Sequence, residues 1–219
     1  MKYIKKKEPP QSLEEYKATD GASFYDLHEN HTNIKREVKN SLMAEQGYIC
    51  CYCGRRINRG NSVIEHFKPK DPGKFPELEL EYTNLLASCK GGATEREKKV
   101  RYQGKKFPLS CDNKKDNRII EVSPTDPNCE EYFEYDEDGE IFGTNEQADW
   151  AIEILGLNNP YLKHERKQAI EPYVNLPDET DWEDEIARLS TPDKNGQYDP
   201  YCFAAIYYIK SYRLFFAVA

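Results

Sequence analysis

No uninterrupted apolar run in the 219-residue chain reaches the roughly 18 residues that a membrane span needs. The most apolar stretch, Phe203 to Ala219, is broken by Lys210 and Arg213 and reads as a closing core helix. No apolar segment follows the basic start Met1-Lys-Tyr-Ile-Lys-Lys-Lys7, so no signal peptide is expected and the membrane and secreted classes are disfavoured. Internal repeats and low-complexity tracts are missing too. So is a positive overall charge: the formal net charge of -8 argues against a simple nucleic-acid coat. Aromatic residues are not scarce; at 12%, with 16 tyrosines, they are too many for a disordered chain.

The average charge hides a division. Arg55 to Arg118 carries 16 Lys and Arg against 9 Asp and Glu, whereas Pro124 to Ala219 carries 7 against 21. A basic middle joined to an acidic tail predicts one polyanion-facing surface and a second region facing something else.

Seven cysteines, an odd number without a secretion signal, fit a reducing cytosol and point to metal rather than disulfides. Cys50-Cys51-Tyr52-Cys53-Gly54 contains a C-x-x-C whose glycine lets the backbone turn around a tetrahedral ion. Cys89 and Cys111 complete a candidate set of four structural zinc ligands, although the 21 residues between them exceed the usual two to four. A redox pair is the competing reading, disfavoured because no strand-to-helix thioredoxin context surrounds the motif. Cys51 is expected to point away from the ion, and Cys129 and Cys202 to be small buried hydrophobes.

Helices are predicted at Gln11–Thr19 and Asn33–Gln46, the second with Ile34, Val38 and Leu42 on one face and Gly47 at its end. Ser62–Phe67 reads as a short strand closed by Pro69, and Asn84-Leu85-Leu86 as a second. Gly91–Lys106 is basic, polar and glycine-punctuated, hence an expected exposed loop. A short helix is placed from Asp112 to Arg118 with Asp112 as its capping side chain. Glu130–Phe142 spells a hairpin around Asp136-Glu-Asp-Gly139. Helices follow near Asn145–Leu155, Pro160–Tyr173, Asp181–Leu189 and Pro200–Phe216. The last carries Tyr207, Tyr208, Tyr212, Phe215 and Phe216, more apolar surface than one small core needs, which suggests burial against a partner.

The chemistry lies in the order C-x-x-C, Glu65-His66, Asn84, Cys89, Cys111-Asp112-Asn113. A neutral imidazole at His66 suits deprotonation of a water for attack on phosphate, although a lone histidine is as readily a zinc ligand or a satisfied loop residue. Glu65 is a hard oxygen donor suited to Mg²⁺ or Mn²⁺; on a strand it opposes His66, so the two serve one site only at a bent strand end. Asn113 and Asn117, at i and i+4, would share a helix face toward the same ion. Lys68, Lys70, Lys114, Lys115 and Arg118 would meet phosphates. His28, His31 and His164 read as surface histidines.

These motifs, from about Tyr48 to Arg118, resemble those of the HNH endonucleases with a ββα-metal core. Glu65-His66-Phe-Lys-Pro69-Lys, Tyr82-Thr-Asn-Leu-Leu-Ala-Ser-Cys89-x-Gly-Gly and Ser110-Cys-Asp-x-x-Lys115-x-Asn117 are most similar to the retron- and Septu-associated antiphage HNH proteins of the PtuB type. The resemblance implies an α+β chain, with residues 1–123 an HNH nuclease domain with N-terminal helices and residues 124–219 a hairpin plus an α-helical region for assembly. By it, His66 is the general base, Asn84 orients it, and Glu65 with Asn113 or Asn117 ligates a catalytic Mg²⁺ or Mn²⁺. Asp112 stands where the family places His or Asn, which leaves open which of Asp112, Asn113 and Asn117 faces the ion.

The expectation is therefore a cytoplasmic, zinc-stabilised endonuclease of an antiphage system. Its substrate is nucleic acid, DNA by default with RNA open. An ATPase of the PtuA type is the expected partner, with homo-oligomerisation open. A non-catalytic zinc-stabilised nucleic-acid-binding or adaptor protein is the other class; it would have no need of Glu65-His66.

Overall fold

The computed structural model describes residues 1–71, 73–174, 176–177 and 180–214, and in it short helices alternate with two-stranded antiparallel ribbons, an α+β arrangement. α1 (Gln11–Lys17), α2 (Phe24–Glu29) and α3 (Thr32–Glu45) come first. The spacing argument missed α2, whose six residues are too few to show a repeat. It is fixed instead by the Ser23 side chain, which accepts from Asp26 N, and by burial of Phe24 and Leu27. Val38 and Leu42, one turn apart on α3, are fully buried.

β1 (Ser62–His66) pairs antiparallel with β2 (Leu85–Cys89), from Ser62 opposite Cys89 to His66 opposite Leu85. Both α3 and α5 (Cys111–Lys115) pack on β2, and all five of its residues are buried. Asn84 lies outside the strand, as the last residue of a 3₁₀ turn, Tyr82–Asn84, that feeds it. The expected loop at Gly91–Lys106 is structured: it holds α4 (Ala93–Glu97) and a ribbon of β3 (Arg101–Tyr102) and β4 (Lys105–Lys106). Its residues are too polar to signal elements by hydrophobic period.

α5 also differs from expectation. Ser110, not Asp112, is its capping residue, and that cap makes no side-chain hydrogen bond. The helix stops at Lys115 because Asp116 takes φ 52°, so Asn117 lies beyond it and does not share a helix face with Asn113.

The acidic half follows the expected order: β5 (Phe133–Tyr135) paired with β6 (Ile141–Gly143), then α6 (Glu146–Leu155), α7 (Pro160–Val174), α8 (Trp182–Ser190) and α9 (Cys202–Tyr208). Asn145 and Asp181 cap α6 and α8 through their side chains. A π-helical turn, Ile209–Leu214, continues α9, and Phe215 and Phe216 lie outside the described residues. Most of α9 is taken by the chain's own core, with Cys202 to Ile206 and Tyr208 buried there, whereas Tyr207 is half-buried and Tyr212 in the following turn stays exposed. Phe203 packs against the cysteine turn so closely that a Cβ on Gly54 would sit 2.4 Å from its ring, and Tyr201 N donates to Gly54 O. Burial of one such ring is worth about 2 to 3 kcal/mol. Among the described residues, no helix is long and apolar enough to cross a membrane.

Candidate active site

Cys50, Cys53, Cys89 and Cys111 are all buried, and their sulfurs lie within 4.8 Å of one another. Cys53 Sγ is 3.9 Å from Cys89 Sγ. Tetrahedral ligation at about 2.3 Å separates sulfurs by about 3.8 Å, so the set fits an ion of zinc's preferences. Burial opposes ionisation of Cys50, yet the thiols of Cys111, Cys51, Cys53 and Cys89 around it hold it well below the usual thiol range. Cys89 and Cys111 are held well above that range, because four thiolates cannot ionise together without a cation. Cys51 lies outside the cluster, and Cys129 and Cys202 are buried apart from it.

At the other end of the ribbon a cleft of about 250 Å³ is lined by Glu65, His66, Lys70 and the start of α5. His66 is buried, and its Nε2–H donates to Glu79 O at 2.9 Å. That bond assigns the proton to Nε2 and leaves the lone pair on Nδ1. Phe24 of α2 presents an edge-on contact to the imidazole, with centroids 4.4 Å apart. Burial pushes the imidazole pKa down to about 4, with Lys70 and Lys115 adding to the shift against the pull of Glu79 O and Glu65.

Glu65 is buried beside it. Its Oε1 accepts from Tyr52 Oη and from Lys115 Nζ, each at 2.9 Å. Lys115 Nζ also donates to His66 O at 3.0 Å, so one buried cation ties both residues of the Glu-His pair to α5. Asp112 hydrogen-bonds Glu65, and burial together with that carboxylate pushes the Asp112 carboxyl up to about 8. Asn84 Nδ2 donates to Lys68 O and Leu78 O at 3.0 and 3.1 Å, and its Oδ1 accepts from Lys68 N at 2.8 Å. It thus pins the chain segment that presents the Glu79 carbonyl.

A curated relative, named the candidate HNH endonuclease of retron Vc95 from Vibrio cholerae serotype O1 biovar El Tor, is 30% identical over 179 residues, which are 76% of this chain and 81% of that protein. The chain belongs to the HNH endonuclease family. A second HNH relative, named for retron Ec83 of Escherichia coli, is 35% identical over 100 residues, 42% of this chain and 38% of its own length. The Septu protein PtuB of Bacillus thuringiensis is 29% identical over 126 residues, 57% of this chain and 42% of its own. These two matches therefore span less than half of the relatives concerned. No protein-family model matches the chain.

Set against the HNH motif order, the residues divide. Glu65, His66, Lys70, Asp112, Asn113 and Asn117 line one cleft, the first two from the last two positions of β1. The carboxyl in contact with Glu65 is that of Asp112; Asn113 and Asn117 are exposed on the rim. Lys115, expected to meet phosphate, is only 1% exposed and committed to Glu65. Lys114 Nζ donates to Glu153 O, and Arg118 to the carbonyls of Lys115 and Ile154, so these two tie α5 to α6. Lys68 packs over Phe67, and Lys70 stays exposed over Phe24. Tyr52, Phe24 and the Glu79 carbonyl escaped the sequence reading. Only Tyr52, inside the C-x-x-C, left a trace there.

Proposed function

We propose that the chain is a metal-dependent endonuclease hydrolysing phosphodiester bonds, with a ββα-metal core formed by β1, β2 and α5. The observation that carries this is the cleft: an imidazole locked through Nε2, with Nδ1 unprotonated, beside two hydrogen-bonded carboxyls. Glu65 and Asp112 are adjacent hard oxygen donors, and their nearness, which raises the Asp112 carboxyl, is what a divalent cation would relieve; the donor set fits Mg²⁺ or Mn²⁺. Such an ion, when bound, supplies positive charge to the phosphate and leaving oxygens.

The chain's own residues do the rest. Glu79 O holds the imidazole, and Asn84 holds the turn behind it. His66 Nδ1 takes a proton from the attacking water; with its pKa near 4 the base is free of protons at neutral pH. Lys115 neutralises Glu65 and fixes α5 against β1, and Lys70 at the rim meets the substrate phosphate. The four thiolates hold a structural zinc that joins the cysteine turn, β2 and α5, because so small a core buries too little to hold itself.

Relatives named for retrons and for Septu support a role in antiphage defence. The PtuB likeness supports action with an ATPase partner. DNA is the default substrate by the HNH likeness, with RNA the other polymer to test. The test offers plasmid DNA and total RNA, with Mg²⁺ or Mn²⁺, to wild type, His66→Ala and Asp112→Asn, alone and after co-purification with host partners. Wild type should nick DNA, and His66→Ala should be slower by about two decades or more. Equal cutting by both variants and wild type would remove the cleft from the chemistry.

A further inference from the structure

We infer that the segment between Cys89 and Cys111 is a finger that grips the backbone of B-form duplex DNA beside the cleft; this rests on the nuclease reading and adds where the substrate runs. The neck of the segment is closed. Ser110 N donates to Gly91 O at 3.0 Å. Gly91 and Gly92, at φ 54° and 86°, come so near the returning chain that Cβ atoms there would lie 1.8 Å from Ser110 O and 2.4 Å from Pro108 O. Beyond the neck stand α4 and the β3–β4 ribbon, whose turn residues Gln103 and Gly104 both have positive φ, as a tight hairpin requires. Tyr102, the last strand residue before that turn, seats the ribbon on the body, its ring edge-on to Phe107 and Tyr161 at 6.1 and 5.6 Å and its hydroxyl donating to Pro160 O.

The closed neck and the seated ribbon thus hold a cationic surface in place. Lys98, Lys99, Arg101, Lys105 and Lys106 are all exposed. The ion pair of the segment, Glu95 with Arg55 at 3.1 Å, sits at the root and leaves those five without a carboxylate partner among the described residues. A phosphodiester backbone supplies the missing charge. The major groove of B-form DNA, about 12 Å wide, admits a two-stranded ribbon, whereas that of A-form RNA is deep and too narrow to be entered.

The register fixes the spacing. The finger leaves the ribbon opposite Ser62, four residues from His66, which is about 13 Å along the strands.

The test is equilibrium binding of a defined DNA duplex by the full chain, without divalent cation, across a salt series. Removing Lys98, Lys99, Lys105 and Lys106 together as Lys→Gln should flatten the slope of log K against log salt by about 3 to 4, at about 0.9 per lost contact. Removing Lys163, Lys167, Lys194 and Lys210 instead, the same change in net charge on the acidic half, should leave the slope in place. Should the fourfold finger variant fail to fold, Lys105→Gln with Lys106→Gln tests the same contact with about half the effect. An unchanged slope in a folded finger variant, or an equal loss on duplex RNA, would overturn the assignment. Wild-type plasmid cleavage is read separately: cutting with an unchanged finger slope sinks the finger alone, and a flattened slope without cutting sinks the nuclease alone.

Discussion

The two ends of the β1–β2 ribbon hold opposite kinds of site built from the same elements. β2 gives Cys89 to the thiol end, and β1 gives Glu65 and His66 to the cleft end. α5 serves both, with Cys111 at one and Asp112 at the other; a helical step of about 100° separates their side chains. The thiol end is soft and closed, all four donors buried. The cleft end has hard oxygens and opens to solvent past Lys70, Asn113 and Asp116. A closed sulfur site suits an ion that holds the fold, and an open oxygen site suits one that meets substrate. The buried cations repeat the contrast. Arg166, in the acidic half, donates to the carbonyls of Gly139 and Leu157, whereas Lys115 faces the carboxylate of Glu65.

The comparison breaks hardest at the thiols. Cys53→Ser or Cys111→Ser should abolish stoichiometric zinc and unfold the chain, since structural zinc contributes on the order of 10 kcal/mol to small domains; metal analysis and a thermal melt read this. Chelation of Mg²⁺ or Mn²⁺ at the cleft should stop cleavage and leave the same melt standing. Lys115→Met comes next. It strands Glu65 without its counter-ion, at about 3 to 5 kcal/mol in denaturant unfolding, and zinc should remain bound in the folded fraction.

His66→Ala should cost about two to four decades of cleavage rate and only about 1 to 3 kcal/mol of stability, measured by kinetics and melts on one preparation. A stability loss without a rate loss would make His66 a core residue.

Acid separates the two cleft groups by sign. Native His66 stays neutral down to about pH 4, whereas the unfolded residue protonates below about 6.5. The unfolded chain therefore binds more protons in that window, and stability from this group rises with pH from about 4 to 6.5 and is level above. Asp112, raised to about 8, slopes the other way: the native chain holds the extra proton, so stability falls as pH rises from about 4 to 8. Urea unfolding of His66→Ala and Asp112→Asn across this range should remove the first slope and the second respectively. The smallest effect is Asp116→Gly: relief of the strained backbone at φ 52° should raise stability by about 1 kcal/mol, seen as a higher melting temperature.

Much of this was legible because it depends on residue type. The four thiols, the Glu-His pair and Asn84 announce themselves by chemistry and order, and the hairpin at Asp136–Gly139 by turn residues. What escaped depends on backbone or on exact phase. The Glu79 carbonyl that locks His66 carries no residue signature, since any amino acid at 79 supplies one. With the cap at Ser110, Asp112 becomes a residue of the helix instead of its cap, and the helix's end at Lys115 takes Asn117 off the face shared with Asn113. From that helix the Asp112 carboxyl meets Glu65, and Lys115, three residues on, turns inward to the same carboxylate.

By itself, then, the sequence determined the donors: sulfur for one ion, and oxygen and imidazole for the cleft. Only the tertiary structure decided which neighbours they keep. Burial makes Lys115 a counter-ion rather than a phosphate ligand, gives most of α9 to the chain's own core, and brings Cys89 and Cys111 together across 21 intervening residues. The reason is physical: ligand identity is a local property of side-chain chemistry, whereas burial and pairing arise from contacts between segments that no local pattern encodes.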